Sequence, residues 1–130
     1  MRTDSKNQKG DQRKQLGNRG EKEAEKYLMA KGYKILARNY RFGRGELDLV
    51  CHQGRELVIV EVKSVRGHVY ENGIERLTRR QQRTLIRTTY IYLATAVPFK
   101  PDSVRFDVIL VDYSGYPVKI HHYPAAFWEH

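Results

Sequence analysis

The sequence predicts an α/β domain with its elements in the order α-β-β-β-α-β-β. Two segments repeat apolar residues at helical spacing, and the runs between and after them are rich in Leu, Val and Ile and end at glycine or proline. With 130 residues, 40% of them hydrophobic, the chain is long enough to bury a core between such helices and a sheet.

The opening MRTDSKNQKGDQRKQ carries no aliphatic or aromatic residue beyond its methionine. Residues 1–15 are therefore expected to form a mobile basic tail, and residues 16–130 a single domain. From Gly17 to Lys31, Ala24, Tyr27 and Leu28 share one helical stripe, with Gly32 placed as a C-terminal stop. Tyr33 to Phe42 reads as a strand entering a turn at Gly43-Arg44-Gly45, and GELDLVCHQGRELVIVEVK, Gly45 to Lys63, as two more. After a link around Gly67 to Gly73, a long helix is expected from about Ile74 to Ala96, stopped by Pro98 and Pro101. VRFDVILV, Val104 to Val111, is the next strand, and a turn through Asp112 to Gly115 leads to a short one around Pro117 to His122.

Lys and Arg number 24 against 15 Asp and Glu, a formal charge of +9 and a pI of about 9.8. Such a surface suits a polyanion. Nucleic acid, DNA first, fits better than acidic lipid, because no segment reads as a membrane anchor, and a basic protein without such a partner is the alternative. With no apolar leader at the start and no apolar run near the roughly 18 residues of a span, the expected location is the cytoplasm. The single Cys51 has no partner for a disulfide and too few His or Cys neighbours for a zinc site.

The stretch from Gly45 to Lys63 places charges among its aliphatic residues. If Gly54-Arg55 is a two-residue type II′ turn, Val50 faces Ile59, His52 faces Leu57, Asp48 faces Glu61 and Glu46 faces Lys63. Leu47, Leu49, Val58, Val60 and Val62 then line the opposite, aliphatic face. A turn centred on Gln53-Gly54 would bring Glu46 opposite Glu61, and a three-residue loop would separate Asp48 from Glu61. Two facing carboxylates repel unless neutralised. A divalent cation does this, and Mg²⁺, or Mn²⁺ in its place, suits hard oxygen ligands, water and phosphate. Lys63 is then placed to polarise a water or steady a phosphate oxygen. The same residues also fit a salt-bridge cluster in which Lys63 neutralises Glu61 and Glu46.

Glu21 lies three and seven residues before Ala24 and Leu28, within reach of the inward stripe of the first helix, though a glutamate there also suits the helix dipole. On the long helix Arg76, Arg79, Arg80, Arg83 and Arg87 form one cationic ridge with no intervening acid, a pattern suited to phosphate contact. Gln81, on an inward stripe between Leu77 and Leu85, either points a polar group at the site or satisfies a backbone carbonyl. Asp107 shares a strand face with Arg105 and Ile109; it can pair with Arg105 or another basic residue, and it is a second-tier candidate for the site. Tyr113, Tyr116, Tyr123, Phe127 and Trp128 can pack on the body or form a dimer surface.

Gly17 to Lys63, together with ENGIERLTRRQQRTLIRTTYIYLA and VRFDVILV, resembles the YraN family of bacterial proteins, which is similar to archaeal Holliday junction resolvases within the PD-(D/E)XK nuclease superfamily. The resemblance rests on GxxGE opening a helix, then GELD, EVK and RFD in order. It implies a restriction-endonuclease-like core, a central mixed sheet flanked by helices. It also implies a metal site at Asp48 and Glu61, with the Val62 carbonyl as a further ligand, Lys63 as the catalytic lysine and Glu21 as the first-helix acid. Family members commonly carry a lysine in the long helix where this sequence has Gln81.

Together these readings imply a divalent-metal-dependent DNA endonuclease, acting on branched or single-stranded DNA in repair or recombination. A noncatalytic DNA-binding module with the same fold is the alternative. Symmetric junction cutting would call for a homodimer.

Overall fold

The structure, a computed structural model, describes residues 5–66 and 77–127, with side chains from residue 18 onward. The order is α1 (Ser5–Ala30), β1 (Lys34–Phe42), β2 (Gly45–Gln53), β3 (Glu56–Val65), α2 (Arg79–Thr95), β4 (Ser103–Asp112) and β5 (Lys119–Phe127). The five strands form one mixed sheet in the order β1-β2-β3-β4-β5. Only β3 and β4 are parallel, and a parallel pair needs a crossover, which includes α2.

Each helix covers one face. Ala24 and Leu28 of α1 pack on Leu49, Cys51, Val58, Val60, Ile109 and Val111. Leu85 and Tyr92 of α2 pack on the other face with Val50, Leu57, Ile59, Val108 and Leu110. These aliphatic residues are almost wholly buried, so the sheet is apolar on both sides.

The ends of α1 and of the first two hairpins follow the expected chemistry. Gly32 has φ +92°, and the Gly32 and Tyr33 amides donate to Met29 and Leu28 carbonyls at 3.0 Å each, a Schellman stop. At the β2–β3 turn Gly54 alone has a positive φ, +60°, as a type II′ turn requires, and the predicted register Val50–Ile59 and His52–Leu57 is observed.

Three boundaries differ. Helix α1 starts at Ser5 rather than near Gly17, so the backbone of residues 5–15 is helical. Their Lys, Gln and Arg are good helix formers, and a helix anchored at its packed end propagates at little cost. Helix α2 starts at Arg79 rather than near Ile74, because Thr78 caps it. The link at Gly67 to Gly73, together with Ile74 and Arg76, lies outside the described residues, as does Trp128. Strand β5 runs to Phe127 despite Pro124. As an edge strand it can lack one ladder donor, and it carries an irregularity opposite Phe106 and Val108 with Ala125 at φ +50°. Among the described residues no helix is long and apolar enough to cross a membrane.

Candidate active site

The β2–β3 ladder pairs Leu49 with Val60 and goes no further toward Asp48 and Glu61. Instead the Val62 amide donates to Asp48 Oδ2 at 2.9 Å. A strand residue directs its N–H and C=O to the same side, so the Val62 carbonyl also faces the gap beside Asp48. Glu61 contacts Lys63 Nζ at 3.3 Å and shares a hydrogen bond with Asp48. The pair expected from the hairpin therefore meets, through side chains rather than a continued ladder.

The cause of the gap lies in β1. Asn39, between the pairs Arg38–Leu49 and Tyr40–Leu47, stands opposite Asp48 and has φ +51°. Asparagine tolerates this left-handed conformation better than most residues. On either side of the Asn39–Asp48 position the faces exchange. Leu49 packs on the α1 side, whereas Leu47 and Tyr40 pack on the α2 side. Strict alternation would have kept Leu47 with Leu49 and grouped Glu46 with Lys63, and that expectation is corrected. Glu46 pairs instead with Arg41, at 2.5 Å, its cross-strand neighbour.

The first helix supplies Glu21. Its carboxyl is half-buried and raised above the usual range, first by burial and second by the charge of Asp48, with an Asn39 hydrogen bond opposing. Glu21 and Asp48 therefore share one electrostatic neighbourhood. Two close approaches set this geometry. A Cβ on Gly20 would collide with Ser64 Oγ, and one on Gly45 with Thr88 Oγ1, so each glycine lets a helix lie close to the site end of the sheet.

Burial is the largest influence raising Asp48, although the Val62 amide opposes it. Burial, followed by the negative charge of Asp48, pushes Glu61 up to about 8. Both shifts run upward, the usual consequence of burying and crowding like charges. Asp48, Glu61 and the Val62 carbonyl are hard oxygen donors that fit Mg²⁺ or Mn²⁺ completed by water. Among the described residues no three His, Cys, Asp or Glu side chains converge to hold a metal, so protein carboxylates alone would leave most of its coordination to other oxygens.

Arg79, Arg80, Arg83 and Arg87 are exposed along α2, and none is salt-bridged among the described residues. Gln81 departs from its expected inward position. It is exposed, its side chain accepts from the Thr78 amide at 2.8 Å and its own amide donates to Thr78 Oγ1 at 3.1 Å. This is a capping box. The inward residue is Gln82, buried and donating to the Leu77 carbonyl at 3.2 Å. Among the described residues of α2 no lysine takes the place of Gln81.

Asp107 lies elsewhere, on the α1 side. It is 1% exposed and accepts two bonds from Arg105, at 2.9 Å each, one from the Ala125 amide at 3.0 Å and a contact with His122 Nε2 at 2.7 Å. Arg105 also reaches Glu56 and Tyr33. Its pairing with Arg105 was expected; the part played by His122, 15 residues on, left no sequence signal. Cys51 is buried, and burial pushes its thiol up to about 12, which suits an inert core residue.

Fold and site together define an α/β protein with a five-stranded mixed sheet that gathers two partly buried carboxyls and a lysine where its central hairpin opens. A family model described as "Uncharacterised protein family UPF0102" matches residues 20–111, and the chain belongs to that family. It is 43% identical over 99 residues to a UPF0102 protein of Symbiobacterium thermophilum, covering 76% of this chain and 83% of that one. Similarity to a UPF0102 protein of Chlorobium limicola is 39% over 122 residues, 88% and 92% of the two chains. A Frankia alni member is 41% identical over 113 residues, covering 86% and 93%.

Proposed function

We propose that this protein is a divalent-metal-dependent endonuclease that hydrolyses phosphodiester bonds in DNA, on branched or single-stranded substrates, within the cytoplasm. The observation that carries this reading is the pair Asp48 and Glu61, partly buried and in contact, with Lys63 against Glu61, at the opening between β2 and β3. Asp48, Glu61 and the Val62 carbonyl would hold Mg²⁺ or Mn²⁺. When bound, such an ion neutralises the phosphate and lowers the pKa of a water that it carries. Lys63 is partly exposed and touches Glu61, so its ammonium is placed to orient that water or to steady a phosphate oxygen. Glu21, in the same neighbourhood, is placed to accept a proton or to hold outer-sphere water. The exposed arginines of α2 would grip the phosphate backbone whatever its sequence. A homodimer would follow if the substrate is a symmetric junction.

A noncatalytic DNA-binding module is favoured by one observation, the position of Gln81. The side chain that would replace a helical lysine is committed to capping α2. Labelled single-stranded, duplex, flap and four-way-junction DNA, incubated with Mg²⁺ or Mn²⁺ and with EDTA controls, separates the readings. Cutting that needs metal and disappears in Asp48→Ala supports the enzyme. Binding without cutting on every substrate supports the module.

A further inference from the structure

The flank of α1 that faces away from β1 carries a second cationic surface. On the β1 side Glu25 holds Arg38 at 2.6 Å and Glu21 meets Asn39. On the other flank Arg19, Lys22 and Lys26 line a pocket of about 250 Å³ with Tyr113, Tyr116 and Glu23. Lys26 is partly neutralised by Glu23 at 3.7 Å, which leaves Arg19 and Lys22 without an acid partner among the described residues.

Two aromatics complete the pocket in different ways. Tyr113 lies under Arg19, whose guanidinium carbon is 5.6 Å from the ring centroid, and its buried hydroxyl makes no hydrogen bond among the described residues. Tyr116 is 94% exposed. Its ring is therefore open to contact from solvent. A free ring face beside unpaired cations is the combination that holds single-stranded nucleic acid, in which a base stacks on the aromatic while the backbone lies on the charges. Duplex bases are already stacked and offer no face to the ring. The pocket is also close to the carboxyl pair. Arg19 and Glu21 flank Gly20, which packs on Ser64, the residue after Lys63, so one turn of α1 serves both places.

We propose that Arg19, Lys22, Tyr113 and Tyr116 form a binding site for a single-stranded polynucleotide, with a base on Tyr116 and phosphates on Arg19 and Lys22. This deepens the reading of the protein as a DNA enzyme and rests on its nucleic-acid partner, but not on cleavage. The test is fluorescence anisotropy of labelled oligo-dT, oligo-U and a duplex of equal length, all in EDTA, so that the result stands whether or not the protein cuts DNA. The parent is expected to bind a single strand, of either sugar, and Tyr116→Ala to weaken that binding at least about fivefold with less than about a twofold change on duplex. Tyr116→Phe, which keeps the ring, should bind like the parent. Lys22→Gln should lower the slope of log affinity against log salt by about 0.7 for the single strand. Failure of the parent to bind single strands, parental binding by Tyr116→Ala, or equal losses on single strand and duplex would each overturn the site.

Discussion

Asn39 and Asp48 stand opposite each other on β1 and β2 at the point where both strands exchange the faces their side chains occupy. The left-handed residue in β1 and the end of the β2–β3 ladder coincide there. Asp48 can consequently turn toward the Val62 amide instead of continuing an alternating strand. The first prediction concerns Asn39. Asn39→Gly, which keeps the backbone conformation, should leave thermal stability within about 0.5 kcal/mol of the parent. Asn39→Val should cost about 2 kcal/mol, because a β-branched residue resists positive φ. Equal melting temperatures for the two variants would show that the left-handed turn is not what holds β1 against β2.

The second prediction follows from the cap on α2. Gln81→Ala should destabilise the protein by about 1 kcal/mol, and should leave any metal-dependent cleavage rate unchanged within about twofold. A large loss of rate at parental stability would return Gln81 to the site.

The misplacement of Gln81 shows where sequence reading loses its hold. Both Gln81 and Gln82 precede Leu85 by about one helical turn, but Leu77 and Leu85, four residues to either side of Gln81, point to Gln81 as the inward one. Leu77 precedes the Thr78 cap, so it says nothing about the phase of the helix. By contrast the central hairpin was legible, because a glycine turn and two long aliphatic runs permit few registers, and Asp48, Glu61 and Lys63 followed from it. The exchange of faces around Asp48 was not, since it depends on a single left-handed Asn39 in the neighbouring strand. Asp107 and His122 meet only through the β4–β5 pairing, whose irregular register no local pattern encodes.

The third prediction is a pH dependence. Burial alone would raise the Asp107 carboxyl, but hydrogen bonds from His122, Arg105 and the Ala125 amide, together with the Arg105 charge, outweigh it and leave the group below its ordinary value. A folded pKa lower than the unfolded one contributes stability that is present above the unfolded pKa, near 3.9, and is lost as the pH falls through the folded value. Asp107→Asn should therefore cost about 3 kcal/mol at pH 7, since it leaves the largely buried guanidinium of Arg105, 19% exposed, short of its main partner. In denaturant titrations the gap between parent and variant should shrink below about pH 4. A gap that stays constant to pH 2 would exclude ionised Asp107 as its source.

The fourth prediction isolates the arginine ridge. Arg80 and Arg83 are exposed and unpaired among the described residues, so replacing both with Ala should leave the fold intact. If they contact phosphate, affinity should fall for every DNA sequence, and the slope of log affinity against log salt should flatten by about two for duplex DNA. An unchanged slope, measured from 50 to 200 mM salt, would remove the ridge from the binding surface.

The last prediction sets stability against function at the carboxyl pair. In the metal-free protein Asp48 and Glu61 are crowded acids, and both are raised by burial. An asparagine at position 48 keeps an oxygen for the Val62 amide, where Asp48 now accepts at 2.9 Å, and offers an NH₂ to Glu61. It removes the like-charge repulsion without leaving the backbone donor unsatisfied, whereas Asp48→Ala leaves that donor without a partner at about 1–3 kcal/mol. Asp48→Asn should therefore melt about 1 kcal/mol higher than the parent in EDTA, and Asp48→Ala lower than Asp48→Asn. Added Mg²⁺ should raise the melting temperature of the parent and not that of either variant, as expected of a ligand that binds only the intact folded site. Strained acids that cost stability until a cation relieves them are a mark of a functional site. If the parent proves more stable than Asp48→Asn without metal and indifferent to its addition, Asp48 and Glu61 are a structural pair and the endonuclease reading falls.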